Sequence, residues 1–323
     1  MRTLAATSRF GLPCGILGGM RRFLGPVGPL MMSLALVGAV TACSMDGDPN
    51  ADGAGASGAE ASLTSSSAPA GSGSGAEGSS LWPSTIAVGD ADPQPTRGAV
   101  EIIRELEHDP GLFTQGLEVS DGQIFESTGQ YGSSQVQRRP LDGGPPTVSV
   151  PMAADEFGEG LALTPDTLWT LTWKNGTAHN RDPQTLEVRE EVQYQGEGWG
   201  LCFDDDRLVM SNGSDQLTFR DPATFEPTGT VSVTAAGTPV PWINELECVN
   251  GQVLANVFMT DEIIRIDPDT GQVTHIYDAS KLQQPRPDHS DAVLNGIAAL
   301  PDSENVLVTG KLWPTMYEVR LGG

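Results

Sequence analysis

Basic residues are scarce in this chain of 323 residues. Lysine and arginine together number 18, against 42 aspartates and glutamates, which gives a formal net charge of −24. A surface that acidic repels phosphate backbones, which argues against nucleic acid as a partner. The chain contains three lysines, Lys174, Lys281 and Lys311, so a lysine at a predicted site is informative.

Histidine is rare as well, and its spacing does not suggest a metal site. The four histidines, His108, His179, His275 and His289, are scattered along the chain. They form no HExxH motif, and the cysteines lack the paired spacing of zinc sites. We therefore expect no cofactor, with a structural calcium ion left open.

The first 43 residues have the features of an export signal. Arg21 and Arg22 precede the stretch PLMMSLALVGAV, which is too short to span a bilayer comfortably. The sequence VTAC then ends at Cys43 and looks like a bacterial lipobox, in which the cysteine is diacylated. We predict a signal peptide with a lipobox over 1–43 and an exported protein, lipid-anchored at the bacterial cell envelope. A plain signal peptide that contains a cysteine is the alternative.

The next segment, residues 44–98, is dominated by Gly, Ala, Ser, Asp and Pro. It contains almost nothing to bury, so we predict a disordered tether. The remaining residues, 99–323, are predicted to form one folded domain. We expect a monomer that touches the membrane only through its lipid anchor.

Residues 99–323 show little helical periodicity and contain five copies of one unit. The segments FTQGLEV, FGEGLAL, EGWGLCF, INELECV and LNGIAAL align at intervals of 44, 40, 45 and 51 residues on Leu117, Leu161, Leu201, Leu246 and Ile297. Two further apolar runs follow in each copy. A period near 45 with three or four strands per copy is typical of a β-propeller. We predict an all-β, five-bladed propeller in which AVEIIREL supplies the outer strand of the last blade; a β-sandwich is the alternative.

The phase of this alignment bears on the cysteines. Cys14 lies in the leader and Cys43 is the lipid site, which leaves Cys202 and Cys248. Two cysteines in an exported protein can pair. These two stand one position out of phase, so we expect their side chains on opposite faces of their strands. The phase favours two buried free thiols over a disulfide.

Polar and aromatic residues recur two positions before each aligned residue, at Gln115, Glu159, Trp199, Asn244 and Asn295. The first strand of each propeller blade lines the central channel, so these side chains should meet at one mouth. The second strands place another set at the same end, namely Thr128, Trp173, Asn212, Phe258 and Lys311. An acid, a cation, amides and aromatic walls predict a pocket for a small molecule or a peptide end. Trp313 is expected to flank Lys311.

The motifs FTQGLE, ESTGQYG, FGEGLAL, INELE, LNGIA and TGKLWP resemble the plant-type glutaminyl cyclotransferases, over essentially residues 99–323. That family is a five-bladed β-propeller that converts an N-terminal glutamine of peptides or proteins into pyroglutamate and releases ammonia. The resemblance implies that Glu159 is the essential acid and that Asn244 and Lys311 are polar groups near the reacting amide. Phe258 stands where the family often has tryptophan. The predicted substrate-binding residues are Phe113, Gln115, Phe157, Trp173, Trp199, Phe258 and Trp313.

Two other functions stay open on the sequence alone. One is a lipoprotein propeller that binds a ligand or partner without catalysis, as propellers often do. The other is a lactonase-type hydrolase, which would need several calcium-binding carboxylates around the axis. The inner ring offers one carboxylate, Glu159, with Glu118 and Glu245 nearby but out of phase.

Overall fold

The computed structural model describes residues 84–282 and 287–323, and every regular element in these ranges is a β strand. The predicted signal peptide, Cys43 and most of the predicted tether lie outside the described residues. Within them, no helix has the length and apolar content that crossing a bilayer requires.

Three separate sheets each contain four consecutive antiparallel strands. The first contains β2 (Thr114–Ser120), β3 (Gln123–Thr128), β4 (Gln135–Pro140) and β5 (Val148–Pro151). The second contains β6 (Gly158–Leu163), β7 (Leu168–Thr172), β8 (Thr177–Arg181) and β9 (Val188–Gln193). The third contains β10 (Leu201–Asp204), β11 (Arg207–Met210), β12 (Gln216–Arg220) and β13 (Pro227–Ser232).

A fourth, larger sheet includes the N-terminal strand. Its order is β16 (Ile243–Val249), β17 (Gln252–Val257), β18 (Glu262–Asp267), β19 (Gln272–Asp278), β1 (Thr96–Glu107), β22 (Thr315–Gly322), β21 (Asn305–Gly310) and β20 (Leu294–Ala299). The short strands β14 (Thr234–Ala235) and β15 (Thr238–Pro239) pair beside β19.

Strand β1 joins the two ends of the domain. It runs antiparallel to β22 from Ala99 to Glu107, and its first four residues pair in parallel with β19. The prediction that AVEIIREL forms an outer strand beside the last copy is confirmed. Strand β1 therefore covers the edge that β22 would otherwise leave open, which limits edge-to-edge association there.

The five aligned segments lie on β2, β6, β10, β16 and β20, the innermost strands. Each of these strands contacts the next in this order, and β20 contacts β2. The sheets therefore surround a common axis in a propeller-like arrangement. Side chains from facing sheets form the core between them.

Asp-Pro turns join the two outer strands in the second and third sheets. The carboxylate of Asp182 accepts hydrogen bonds from the backbone N–H groups of Gln184 and Thr185, at 2.7 and 2.9 Å. Asp221 binds the two equivalent N–H groups in the next sheet. The side chain thus satisfies donors that the turn would otherwise leave without a partner in the protein.

The folded domain begins before residue 99, which corrects the predicted end of the tether. The side chain of Ile86 is buried in a core cluster with Val233 and Val240, and its N–H donates to Glu262 at 2.6 Å. Residues 89 and 91 bond to the β14 turn. The average composition of 44–98 is polar and hides the apolar pair Ile86 and Val88. These two side chains pack into the core, whereas the rest of the segment has almost no apolar side chain to bury.

Cys202 and Cys248 form a disulfide, with their Cα atoms 5.3 Å apart, so the expectation of free thiols was wrong. The two cysteines do lie on opposite faces of their strands, as the alignment predicted, but this arrangement brings them together instead of separating them. Leu201 packs against the second sheet, whereas Cys202, on the other face of β10, packs toward Leu246 of β16. Facing sheets of a propeller present opposite faces to each other, so cysteines out of phase by one position meet.

Candidate active site

Local irregularities in the inner strands present the predicted side chains to the channel. The register shifts between Thr114 and Gly116 in β2, and again around Glu159 in β6. Similar shifts lie around Asn244 and Asn295 in β16 and β20. A bulge places extra residues opposite one partner residue and re-aims a side chain. At these shifts the regular alternation of side chains between the two faces of the strand is interrupted, close to the polar residues.

Gln115, Glu159 and Asn244 line a cavity of about 460 Å³. A volume of this order suits a small ligand or the end of a peptide. The lining is Phe113, Gln115, Gln130, Phe157, Glu159, Trp173, Glu197, Trp199, Trp242, Asn244, Phe258, Asp291 and Lys311. A larger groove along 104–109 has no Phe, Tyr or Trp in its lining and contains none of the predicted catalytic or substrate-binding residues.

Glu159 lies at the cavity with 4% of its surface exposed. Its Oε1 accepts a hydrogen bond from Nε2 of Gln115 at 2.9 Å. Burial raises the pKa of Glu159 well above its ordinary value, and the nearby charge of Lys311 opposes that rise only in part. The carboxylate is therefore a stronger base than an exposed glutamate.

Lys311 is buried beside the same cavity, between two aromatic rings. Its Nζ lies 4.9 Å from the ring centre of Phe113 and 5.2 Å from that of Phe258, within cation–π range. Burial lowers the pKa of Lys311 to about 8, against the opposing effects of Glu159 and Asp291. The site therefore holds one acid and one base whose proton affinities have moved toward each other.

Two side-chain amides, those of Asn295 and Gln115, form a hydrogen-bonded series that ends at the carboxylate of Glu159. Nδ2 of Asn295 donates to the backbone carbonyl of Thr114 at 2.9 Å and lies 3.3 Å from Oε1 of Gln115. Gln115 in turn donates to Glu159. Asn295 is fully buried and lies outside the cavity lining, so it supports the ring rather than lining the mouth.

Aromatic side chains form the wall of the cavity in two arcs. One arc runs from Phe113 through Phe157 to Trp173, with ring centres 6.0 and 5.6 Å apart. The other joins Trp199 to Phe258 at 5.8 Å, with Trp242 at 6.4 Å. The Trp199–Trp242 pair is tilted, and the other three contacts are edge-to-face, a favourable arrangement for aromatic pairs.

A backbone feature makes room for the second arc. Gly213 has a φ of +78°, and a Cβ atom built there would lie 2.6 Å from the indole ring of Trp199. Glycine adopts this conformation at no steric cost and lets the indole lie directly on the backbone.

Comparison with known proteins agrees with this geometry. The family model for glutamine cyclotransferase matches residues 78–321. The chain belongs to the glutamine cyclotransferase family. A glutaminyl-peptide cyclotransferase from Arabidopsis thaliana is 37% identical over 227 residues, which cover 69% of this chain and 71% of the plant protein. The crystal structure of Myxococcus xanthus glutaminyl cyclase aligns with a TM-score of 0.68 at 40% identity, over 71% of this chain and 99% of the other.

Nine of the ten site residues predicted from the sequence line the cavity of this glutamine cyclotransferase family member; Trp313 does not. Trp313 is 1% exposed in a core cluster, and its indole N–H donates to the carbonyl of Ala292. Its backbone N–H bonds back to Gly310, and Leu312 between them has a φ of +60°. This turn takes Trp313 off the strand alternation on which the prediction relied.

Sequence reasoning missed four lining residues, Gln130, Glu197, Trp242 and Asp291. Two of them had a detectable signal. Glu197 and Trp242 stand four positions before their aligned leucines, the place that Phe113 holds in the first copy. Gln130 and Asp291 lie in loops outside the repeat, where no periodicity predicts the direction of a side chain.

No group of three or more His, Cys, Asp or Glu side chains in residues 84–282 and 287–323 is arranged to hold a metal ion. The expectation of no cofactor, with a structural calcium left open, stays a prediction.

Proposed function

We propose that this chain converts the N-terminal glutamine of peptides or proteins into pyroglutamate and releases ammonia, on a five-bladed propeller. Family membership supports the reaction. The contacts between successive inner strands, from β2 through β20 and back to β2, support the count of five blades. The observation that carries the proposal is Glu159, a buried carboxylate open to an aromatic cavity that also holds Lys311 and Asn244. A non-catalytic binding propeller has no need of this set.

The chemistry is an intramolecular acyl transfer. The substrate's α-amine nitrogen forms a bond to its own γ-carboxamide carbon, and the bond from that carbon to the amide nitrogen then breaks. Because attacker and target belong to one residue, much of the entropic cost is already met. The remaining tasks are to deprotonate the amine, stabilise the oxyanion and protonate the departing nitrogen.

Glu159 carries the proton in this proposal. A free α-amine has a pKa of about 7.7–8.0 and is largely protonated near neutral pH. The carboxylate binds that ammonium and accepts one proton, so that the neutral amine can attack. It passes this proton to the leaving nitrogen, which departs as ammonia. The carboxylate then takes the second proton from the new ring nitrogen and releases it to solvent. The raised pKa of Glu159 makes its carboxylate a stronger proton acceptor than an exposed glutamate.

Lys311 and Asn244 stabilise the oxyanion. Both line the cavity that Glu159 faces. A cation and an amide donor held in a buried site are worth more than in water, because they need no reorganisation as charge develops. The aromatic arcs exclude water and hold the glutamine side chain folded, with Phe258 supplying apolar bulk without an indole N–H.

The test is ammonia release from a glutamine-initiated dipeptide by the purified full-length protein, with loss of one ammonia from the peptide followed by mass spectrometry. Glu159→Gln is expected to lower kcat by about 10²–10⁴, the range for loss of a general base. Glu190→Gln, on the exposed strand β9, is the matched control and should keep full activity. Undiminished release by Glu159→Gln would refute the assignment.

We also propose that the protein is exported, anchored by lipid at Cys43, and monomeric. The basic segment, the short apolar stretch and VTAC support the anchor. Mass spectrometry of the protein from a bacterial host should find an acylated N-terminal Cys43, and light scattering of the solubilised protein should give the mass of one chain. An N-terminus elsewhere would contradict the anchor, and a larger mass would contradict the monomer.

A further inference from the structure

The two aromatic arcs of the cavity wall are joined at both ends by charged side chains. On one side Lys311 lies over Phe113 of the first arc and Phe258 of the second. On the other side Glu197 lies between Trp173 and Trp199. The mechanism above uses Lys311 but gives Glu197 no role.

A single carboxylate oxygen of Glu197 accepts both indole N–H groups. Oε2 lies 2.8 Å from Nε1 of Trp173 and 3.0 Å from Nε1 of Trp199. The other oxygen, Oε1, lies 3.8 Å from Nζ of Lys174, which itself stands 3.8 Å above the Trp173 ring. Trp173 is thus held at its edge by the carboxylate oxygen and at its face by the cation.

The two residues that follow Glu197 are held in place by backbone hydrogen bonds. Gly198 donates its backbone N–H to the carbonyl of Trp173 at 3.0 Å, and Trp199 donates to Ser211 at 3.1 Å. A Cβ atom at Gly198 would meet the hydroxyl of Tyr194, so the backbone approaches as closely as it can. The carboxylate is therefore aimed at the two indoles by the fold.

We propose that Glu197 is a positioning residue for the cyclisation, which rests on the function proposed above. It closes the aromatic wall opposite Lys311 by holding the indoles of Trp173 and Trp199 on one oxygen. Its action is geometric: it needs an acceptor at that point, whereas the second oxygen and the charge are secondary. Misplacing the wall loosens the folded glutamine that the reaction requires.

The experiment compares two substitutions at one position. Glu197→Gln keeps a carbonyl oxygen that can accept both N–H groups and removes the charge, whereas Glu197→Ala removes the acceptor. Glu190→Ala, on exposed β9, is the matched control. Two readouts are taken from each protein: the indole N–H resonances by NMR, assigned through Trp173→Phe and Trp199→Phe, and the kcat and KM for a glutamine-initiated dipeptide.

Glu197→Ala is expected to shift both indole resonances and to lower kcat/KM by about tenfold to a hundredfold, mostly through a higher KM, since a misplacement near 1 Å can cost that much. Its effect on kcat should be smaller. Glu197→Gln should keep both resonances near their native positions and restore KM to within about threefold of the native value, because the acceptor is retained. Glu190→Ala should change neither readout.

Three results would overturn the proposal: unmoved indole resonances in Glu197→Ala, a shift of only one of them, or a KM in Glu197→Gln as poor as that of Glu197→Ala. The NMR readout needs no turnover. If the native protein releases no ammonia, the proposed function fails while the indole resonances still report whether Glu197 holds both rings.

Discussion

Two buried glutamates on the inner strands of this domain invite comparison. Glu159 lines the cavity and accepts a side-chain hydrogen bond from Gln115. Glu245, 1% exposed on β16, accepts backbone N–H groups from Leu117 and Ile297, at 3.3 and 2.8 Å. Burial raises the pKa of both well above the ordinary value. A raised pKa alone therefore does not identify a catalytic acid; what differs is whether the oxygens face a cavity or the backbone of a neighbouring strand.

Glu245 belongs to a set that ties the inner strands together. Glu247, two residues on, accepts the backbone N–H of Ala299 at 3.1 Å, and the side chain of Asn256 accepts that of Gly296 at 2.8 Å. Inner strands of adjacent sheets do not pair as a ladder, so their N–H groups need such acceptors. Glu245, Glu247 and Asn256 thus link the inner strands of neighbouring sheets by hydrogen bonds. The cavity residues stand on the strands that these bonds fix.

The largest effect expected on the catalytic side, after loss of Glu159 itself, is that of Lys311→Met. Loss of an oxyanion donor should lower kcat by about 10²–10³. The nearby positive charge also holds down the pKa of Glu159, so its removal raises that pKa further. Because the base must be ionised to accept a proton, the acid limb of the pH–rate profile should move to higher pH. An acid limb that stays at the same pH would show that the charge of Lys311 does not influence the pKa of the catalytic base.

Glu245→Gln is the matching change on the structural side. An amide NH₂ replaces one accepting oxygen and leaves a backbone N–H unpaired, which should cost about 1–3 kcal/mol of unfolding free energy. The folded fraction should keep its kcat. Urea unfolding and ammonia release, measured on the same samples, test both statements. If the variant is more stable, the desolvated carboxyl outweighs its two hydrogen bonds.

A smaller effect is expected from pH. Removal from water raises the pKa of Glu118, on β2, to about 7 from an ordinary value of 4.5, and the same cause raises those of Glu245 and Glu247. When the pKa of a carboxyl is higher in the folded state than in the unfolded state, its contribution to the free energy of unfolding is fully present below the unfolded pKa. That contribution is lost as pH rises through the folded pKa. The urea midpoint should therefore fall as pH rises from 4.5 through about 7.

Glu118→Gln is the control for that dependence. It removes one titrating group and should flatten the slope of stability against pH over that window. An unchanged slope would place the pH dependence elsewhere in this acidic chain, in the mutual repulsion of its surface charges.

The repeat alignment was the most informative feature of the sequence. It located the inner strands, the outer position of AVEIIREL and seven cavity residues, because a period near 45 places equivalent positions around one axis. Phe113 and Phe157 came from the family resemblance. Its weak point was position within a copy. Trp313 was assigned by alternation across a segment that turns at Leu312.

What the sequence by itself determined is the order of strands along the chain and the residues that face the axis, since side-chain alternation and turn chemistry are local. Only the tertiary structure decided which faces meet between sheets, and so that Cys202 and Cys248 pair and that Glu197 lies between two indoles. Those contacts join sheets that no backbone ladder connects at that point. Their geometry depends on how each sheet is turned toward the next, which no local pattern encodes.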